Sequence, residues 1–170
     1  MPGRIQLHLI RHAIAEERGP AWPDDRVRPL SDEGRRCMKR QAAGFVSLGD
    51  RPDLILTSPL VRTRQTADIV AAAFDDPPRI VELPALAPDG KPKEVAQALE
   101  TYSRRPSLAL VGHEPGLGEL AAFLIGARAP LPFKKGGMAL IEVALLPPPA
   151  GSGELRWLLP PRILRRLSSK

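Results

Sequence analysis

The sequence predicts an α/β protein: a three-layer α-β-α sandwich with a mostly parallel central sheet and an antiparallel pair of strands near the C-terminus. Short apolar runs of strand length alternate along most of the chain with longer segments whose apolar residues have helical spacing. The last two apolar runs are joined only by a Pro- and Gly-rich turn, which favours an antiparallel pair. The 170 residues are enough for one sizeable core, so we expect a single domain over residues 1–170.

The first strand and the first helix are predicted on either side of a long loop. Residues 4–10 alternate into an apolar run that fits a strand. The proline-bearing stretch over residues 15–30 follows it and is predicted to be a functional loop or a lid. Ser31 can cap a helix that runs to about Leu48, and Gly49 can end that helix.

The same order repeats in the next segment. Residues 53–57 fit a short buried strand. Ser58 is predicted to cap the second helix, with Pro59 as its first residue and residues 60–74 continuing it.

The rest of the chain is predicted to continue this alternation. The expected elements are a strand at 80–83, a helix at 93–102, a strand at 107–111, a helix opened by Pro115 and ending near 125, strands at 138–146 and 154–159, and a short basic C-terminal helix.

Composition and charge narrow the class of protein. The formal net charge of +6 would suit nucleic acid, an anionic surface or an acidic substrate. The basic residues are scattered, and two Trp, one Tyr and four Phe offer few stacking platforms, so we expect no nucleic-acid partner. No window approaches the roughly 20 uninterrupted apolar residues of a membrane span. Polar residues interrupt the apolar N-terminal stretch, which argues against a signal peptide, and we expect a cytoplasmic protein without a membrane partner.

No cofactor and no metal are expected. The lone Cys37 cannot form an internal disulfide, and three His with one Cys leave no zinc-like spacing. The glycines near Gly112 do not form G-x-G-x-x-G, and Pro92 follows Gly90-Lys91, which excludes a P-loop.

Three segments at strand-to-helix junctions carry the candidate chemistry. Arg11 and His12 end the first strand, residues 58–62 follow the second, and His113 ends a later strand. The carboxyl ends of parallel strands meet at one edge of the sheet, where such proteins bind their ligands. Two histidines and two arginines gathered there, with helix N-termini, predict a site for a small dianion.

Helical geometry separates the two arginines of the second helix. At about 100° per residue, Arg62 and Arg64 point roughly 200° apart and cannot both face one pocket. Arg62 lies in the first turn and shares its face with Gln65 and Thr66, which can brace it. We therefore expect Arg62 to bind the ligand and Arg64 to be a solvated surface residue.

A histidine that accepts a phosphoryl group needs one free ring nitrogen, so the other nitrogen should donate to a backbone carbonyl or a similar group. Adjacent arginines favour this state in His12, because they lower its pKa and neutralise the phosphoryl oxygens. His8 lies inside the strand and is predicted to be a packed or hydrogen-bonded residue.

Four segments match a known family in order and spacing. They are Leu9-Ile10-Arg11-His12-Ala13, Arg28-Pro29-Leu30-Ser31-Asp32-Glu33-Gly34, Thr57-Ser58-Pro59-Leu60-Val61-Arg62-Thr63-Arg64-Gln65-Thr66-Ala67 and Val111-Gly112-His113-Glu114-Pro115. With them the chain resembles the histidine phosphatase superfamily, also called phosphoglycerate-mutase-like, and within it the short SixA-type phosphohistidine phosphatases.

The resemblance implies a role for each matching residue. His12 would take the phosphoryl group, Arg11 and Arg62 would clamp its oxygens, and His113 would donate a further hydrogen bond to them. Ser58 and the Ala13 backbone would help to line the pocket. Ala13 stands where most of the superfamily has glycine, a change that SixA-type members often accept.

The general acid is the least defined part of the site. Ester-cleaving relatives usually carry a glutamate after the second helix for this purpose. The candidates in this chain follow no recognisable motif; they are Glu82, Asp89, Glu16 and Glu114.

The sequence therefore predicts a cofactor-independent phosphatase that works through a phosphohistidine intermediate on His12. Its expected partner is phosphohistidine in a protein or a small phosphorylated substrate. One alternative is a general phosphomonoester or polyphosphate phosphatase with the same site. An alternative of another class is a catalytically silent phosphate- or phosphoprotein-binding module, against which the intact His12 argues.

Overall fold

The computed structural model describes residues 3–168. Its strands and helices, in chain order, are β1 (Ile5–Arg11), α1 (Asp32–Ser47), β2 (Leu54–Thr57), α2 (Val61–Ala72), β3 (Arg79–Glu82), α3 (Pro92–Ala98), β4 (Ser107–Gly112), α4 (Gly116–Ile125), β5 (Met138–Val143), β6 (Glu154–Leu159) and α5 (Pro161–Leu167). Short 3₁₀ helices lie at Asp25–Val27, Pro84–Leu86 and Leu99–Tyr102.

The strands form one sheet in the order β3-β2-β4-β1-β5-β6. β3, β2, β4 and β1 are parallel, whereas β5 runs antiparallel to both β1 and β6. The predicted mostly parallel sheet with an antiparallel pair near the C-terminus is confirmed.

Apolar side chains fill both sides of this sheet. Successive strand residues point to opposite faces, so Leu7 and Leu9 of β1 pack in the core beneath α3 and α4. Ile10 of the same strand packs in the other core, against α1, α2 and α5. Helices thus cover both faces of the sheet, which confirms the predicted three layers.

β1 and β4 lie side by side, but the chain leaves them in opposite directions across the sheet. From β1 it passes β4 to reach β2, and from β4 it passes β1 to reach β5. The helices of these connections, α1 and α4, lie on opposite faces. A crevice therefore opens at the carboxyl ends of β1 and β4, where open α/β sheets bind their ligands.

Three predicted boundaries were wrong. Ser58 does not cap α2: its backbone N–H donates to Val111 as a continuation of the strand pairing, and Leu60 is the N-cap. The helix predicted over 93–102 is α-helical only to Ala98 and ends as the 3₁₀ turn Leu99–Tyr102. β5 stops at Val143, before the prolines at 147–149 that cannot donate to a strand ladder.

The loop over residues 15–30 is fixed at both ends. Ala15 and Leu30 form an antiparallel bridge. Ser31 caps α1 as predicted, with its Oγ accepting from the N–H of Gly34 at 3.0 Å. Gly34 lies so close to the carbonyl of Ile14 that any Cβ at this position would overlap it. These contacts hold the loop beside the end of β1.

Membrane crossing is not supported by the helices of the structure. Within residues 3–168, none combines the length and the apolar character that a membrane span requires.

Candidate active site

The strand ends bring the predicted residues to one cleft. Arg11 is the last residue of β1, and His12 follows it; His113 directly follows β4, and Arg62 lies in the first turn of α2. All four line a cleft of about 450 Å³. Its other lining residues are Ala15, Glu16, Glu17, Arg18, Asp25, Arg28, Pro88, Glu114 and Lys135.

His12 is buried and its ring orientation is fixed by the backbone. Its Nδ1 lies 2.7 Å from the carbonyl oxygen of Ala13. A carbonyl oxygen can only accept, so Nδ1 carries the proton and donates, as expected from the sequence. Within the described part of the chain, the hydrogen bond of Nδ1 is the one that the His12 ring makes, so the other ring nitrogen, Nε2, has no partner there. The neutral ring therefore keeps a lone pair on Nε2.

The surroundings of His12 keep the ring neutral. Burial, as the main cause, lowers its pKa from 6.5 to about 4. The positive charges of Arg62, Arg11 and Lys135 act in the same direction, and the hydrogen bond to Ala13 opposes them. His12 is consequently neutral at neutral pH, with its single proton on Nδ1.

His113 lies against His12, with ring centroids 5.3 Å apart. Its Nε2 is 2.8 Å from Oγ of Ser58, and this oxygen also accepts from the N–H of Leu60 at 3.3 Å. Burial, followed by the nearby His12 and Arg62, lowers the pKa of His113 to about 3. If the hydroxyl of Ser58 donates to Nε2, the single proton of the neutral ring lies on Nδ1, ready to be donated.

Arg62 is buried, with 3% of its surface exposed, and both of its terminal nitrogens bind Asp25. Nη1 donates to the Asp25 carbonyl at 2.8 Å and Nη2 to Asp25 Oδ2 at 3.0 Å. The predicted bracing by Gln65 and Thr66 was wrong for the guanidinium. Thr66 donates to the backbone carbonyl of Arg62, and Gln65 accepts from the N–H of Leu30.

Arg64 points away from the cleft, as the helical angle predicted. It is exposed and pairs with Asp68, one turn further along α2, with its Nε 3.1 Å from Oδ1. Burial lowers the pKa of Arg62, and the charge of Asp25 counteracts this. The two arginines therefore have different environments, although they are two residues apart.

Arg11 is held by the segment that precedes β5. Its Nη1 donates to the carbonyl of Phe133 at 2.6 Å. The N–H of Gly136 lies 3.1 Å from the carbonyl of Arg11 and 3.0 Å from that of His12, so it fixes the backbone of both residues. Gly136 has a φ of +77°, and a Cβ there would overlap the side chain of Gln41. This glycine allows the segment to approach the end of β1.

Ser58 and Ala13 lie behind the cleft wall and not in it. Ser58 is fully buried, and its hydroxyl contacts His113. Ala13 is 2% exposed, and its N–H donates to Oγ1 of Thr66 at 3.1 Å. The expectation that they line the pocket was wrong, because partners within the protein occupy their polar groups; they support His113 and His12 instead.

The four general-acid candidates separate into two pairs. Glu16 and Glu114 line the cleft, whereas Glu82 and Asp89 are exposed outside it. Glu114 is half-buried, and its Oε1 accepts from the N–H of Gly118 at 2.8 Å. Burial raises the pKa of Glu114, although the Gly118 N–H and Arg11 lower it. The environment of Glu114 in the cleft therefore favours a retained proton on its carboxyl group.

Sequence reasoning gave no role to Asp25 or Arg28. The Nε of Arg28 donates to Asp25 Oδ1 at 2.8 Å, and its Nη1 donates to the Glu16 carbonyl at 2.7 Å. Arg28 stood in a matched motif, so the resemblance could have marked it. Asp25 belongs to an irregular loop and no pattern in the sequence singled it out.

Half of the unpartnered buried polar atoms of the described chain belong to cleft residues. Six buried side-chain N or O atoms have no hydrogen-bond partner within residues 3–168. Three of them are Nε of Arg11, Nε of Arg62 and Nδ1 of His113. Buried donors normally find a partner, so these three mark the place where a bound oxyanion would supply one. No group of three or more His, Cys, Asp or Glu able to hold a metal ion occurs in this described range.

The site combines a neutral histidine with one unprotonated nitrogen, the half-buried Arg11, the buried Arg62 and a second histidine, all at the switch point of an α/β sheet. This combination defines a class of enzyme: phosphatases that use histidine. The sequence model of the histidine phosphatase superfamily (branch 1) matches residues 7–109. The chain belongs to this superfamily.

The chain is also similar to individual proteins and to solved structures. An uncharacterized protein of Picosynechococcus sp. is 41% identical over 120 residues, which cover 69% of this chain and 71% of that protein. Phosphohistidine phosphatase SixA of Escherichia coli (strain K12) is 26% identical over 161 residues, 92% of this chain and 94% of the relative. The structure of the protein histidine phosphatase SixA complexed with tungstate superposes with a TM-score of 0.82 at 25% identity, covering 94% of this chain and 99% of that one.

Proposed function

We propose that this phosphatase hydrolyses phosphohistidine in proteins through a phosphohistidine intermediate on His12. The observation that carries the proposal is the fixed orientation of the His12 ring: Nδ1 donates to the Ala13 carbonyl, and Nε2 remains without a partner in the cleft. A nucleophilic histidine needs this arrangement, since only an unprotonated nitrogen can attack phosphorus.

The first half-reaction transfers the phosphoryl group to the enzyme. Nε2 of His12 forms a bond to phosphorus while the bond from phosphorus to the leaving nitrogen of the substrate breaks. Arg11 and Arg62 neutralise the phosphoryl oxygens as charge redistributes, and neutral His113 donates a hydrogen bond from Nδ1. In the second half-reaction a water oxygen bonds to phosphorus, the bond to Nε2 breaks, and inorganic phosphate leaves.

The leaving group favours a phosphohistidine substrate. An imidazole protonated on its other nitrogen departs as a neutral molecule, and ordinary histidine has a pKa of about 6.5, so this protonation needs little help. A serine alkoxide is a far stronger base and requires a proton from a general acid in the transition state. The cleft offers Glu114 and Glu16 for that purpose, and neither belongs to a motif for it.

Room beside the cleft supports a substrate larger than a phosphoryl group. A neighbouring groove of about 650 Å³ shares Arg11, Glu114 and Lys135 with the cleft. Protein flanking the phosphorylated histidine could occupy it. The SixA relatives, named as phosphohistidine and protein histidine phosphatases, also support this substrate.

A second candidate function is a phosphatase for phosphomonoesters, including small molecules. The half-buried Glu114 favours it, because burial raises the pKa of this carboxyl group at the edge of the cleft. A protonated carboxyl group there could give its proton to a departing alkoxide.

The test compares leaving groups of graded pKa with the purified enzyme. We expect kcat/KM for a phosphohistidine protein and for activated aryl phosphates to exceed that for phosphoserine and sugar phosphates by orders of magnitude. If kcat/KM did not depend on the leaving-group pKa, the phosphomonoester function would be favoured. Absence of any hydrolysis, with vanadate still bound, would point to the phosphate-binding module.

A further inference from the structure

We propose that Asp25 is a positioning residue that holds the guanidinium of Arg62 ready to bind the phosphoryl group and links residues 15–30 to this clamp. The proposal rests on the function proposed for the cleft.

Asp25 contacts three arginines of the cleft. Its Oδ2 accepts from Arg62 at 3.0 Å, and its Oδ1 accepts from Arg28 at 2.8 Å. Arg18 is more distant, with its Nε 3.6 Å from Oδ1. The two carboxylate oxygens of Asp25 therefore contact different arginines: Oδ2 binds Arg62 of α2, and Oδ1 faces Arg28 and Arg18 of the loop.

The contact with Arg62 fixes the guanidinium in two places. The backbone carbonyl and the carboxylate of Asp25 bind the two terminal nitrogens of Arg62. A guanidinium held by a pair of acceptors cannot rotate, and Nε of Arg62 stays unpartnered for another acceptor. The guanidinium of Arg11, in contrast, has the neutral carbonyl of Phe133 as its one hydrogen-bond partner within residues 3–168.

The charge of Asp25 also suits this role. Arg62 is 3% exposed, and burying a cation without a counter-ion is costly. Asp25 provides the counter-ion from a residue with an exposed side-chain fraction of 42%. Bonding to Arg28, together with the charge of Arg62, lowers the pKa of Asp25, so the carboxylate is charged at neutral pH.

The adjacent Asp24 is a matched control. It is exposed, caps the 3₁₀ helix Asp25–Val27, and pairs with Arg26 outside the cleft. Asn retains the capping ability of Asp, so Asp24→Asn changes the same charge one residue away without touching Arg62.

Vanadate, a phosphate mimic, is the probe, because its binding does not depend on which phosphorylated substrate the enzyme prefers. We expect Asp25→Asn to weaken vanadate binding and to lower kcat/KM for an aryl phosphate by about tenfold or more, since an amide cannot accept from both arginines. Asp24→Asn should leave both quantities within about twofold. Asp25→Glu, which keeps the charge, should recover part of the loss.

A double-mutant cycle separates positioning from general support of the fold. If Asp25 acts through Arg62, Asp25→Asn should change vanadate affinity less than about twofold in an Arg62→Ala background. An equal loss with and without Arg62 would overturn the proposal. So would tighter vanadate binding by Asp25→Asn, which would mean that Asp25 competes with the anion. Failure of the wild-type enzyme to hydrolyse phosphohistidine would reject the substrate proposal. The double-mutant cycle could still be interpreted, because it measures the affinity for vanadate.

Discussion

Nδ1 of His12 lies 2.7 Å from the carbonyl oxygen of Ala13, the next residue in the chain. Because the backbone carbonyl can only accept a hydrogen bond, this contact fixes the tautomer of the ring, with the proton on Nδ1. The contact involves the backbone carbonyl of Ala13, so it does not require a particular side chain at position 13.

The first prediction concerns the atom that is phosphorylated. We expect acid-labile phosphate on Nε2 of His12 during turnover, because Nδ1 is engaged by Ala13. Rapid quench followed by peptide mapping and ³¹P NMR under alkaline denaturing conditions would identify the residue and the nitrogen. Phosphate on Nδ1 of His12, or on His113, would contradict the assignment.

The second prediction compares two arginines of one helix. Arg62→Ala should lower kcat/KM by about 10²–10³-fold, because a buried charge-assisted contact to the phosphoryl group is lost. Arg64→Ala should change it by less than about twofold, since Arg64 is exposed and its pair with Asp68 is a surface salt bridge. Equal effects of the two substitutions would show that the clamp has been assigned to the wrong face of α2.

The third prediction tests the carboxyl groups near the leaving group. If Glu114 is a general acid for esters, Glu114→Gln should slow hydrolysis of alkyl phosphates much more than that of phosphohistidine or activated aryl phosphates. Glu82→Gln is the control, because Glu82 is exposed outside the cleft. Steady-state rates on the three substrates decide the matter, and a uniform loss on all of them would assign Glu114 a role other than proton donation.

The fourth prediction concerns stability and His8, the buried histidine of β1. His8 is fully buried among Phe45 and Trp157, and both of its ring nitrogens lack a hydrogen-bond partner within residues 3–168. Burial lowers its pKa from 6.5 to about 4. As the pH falls from 6.5 to about 4, the unfolded chain takes up a proton that the folded chain excludes, so the free energy of unfolding decreases.

His8→Leu should remove this part of the pH dependence, roughly 3 kcal/mol between neutral pH and pH 4. It should leave kcat unchanged, because His8 lies in the core away from the cleft. Denaturant unfolding of both proteins at several pH values measures the difference. His12 and His113 titrate in both proteins and cancel in the comparison, so parallel curves would show that His8 does not titrate as described.

Much of the fold and part of the candidate site could be predicted from short stretches of sequence. The β1 run, the Ser31 cap and the helical spacing of α1 depend on neighbouring residues, and the structure agrees with them. The 200° separation of Arg62 and Arg64 is likewise a property of any helix, so the choice between them needed no tertiary information.

Other features depend on partners far away in the chain. Ser58 looked like a helix cap, but its hydroxyl contacts His113, which lies 55 residues later in the chain. Its backbone N–H donates to the carbonyl of Val111 and continues the pairing of β2 with β4. The brace of Arg62 is Asp25, 37 residues earlier, and not its helical neighbours. Which glutamates reach the cleft also depended on loop paths, which spacing does not encode.

The sequence by itself determined the alternation of strands and helices, the strand ends that carry Arg11, His12 and His113, and the exposed position of Arg64, because these follow from periodicity and short-range geometry. Only the tertiary structure decided the counter-ion of Arg62, the burial of Ser58 and Ala13, and the choice of Glu114 and Glu16 over Glu82 and Asp89. Those outcomes depend on which distant segments of the chain the fold brings into contact. The burial and the electrostatic fields around these residues exist only after the segments have packed together.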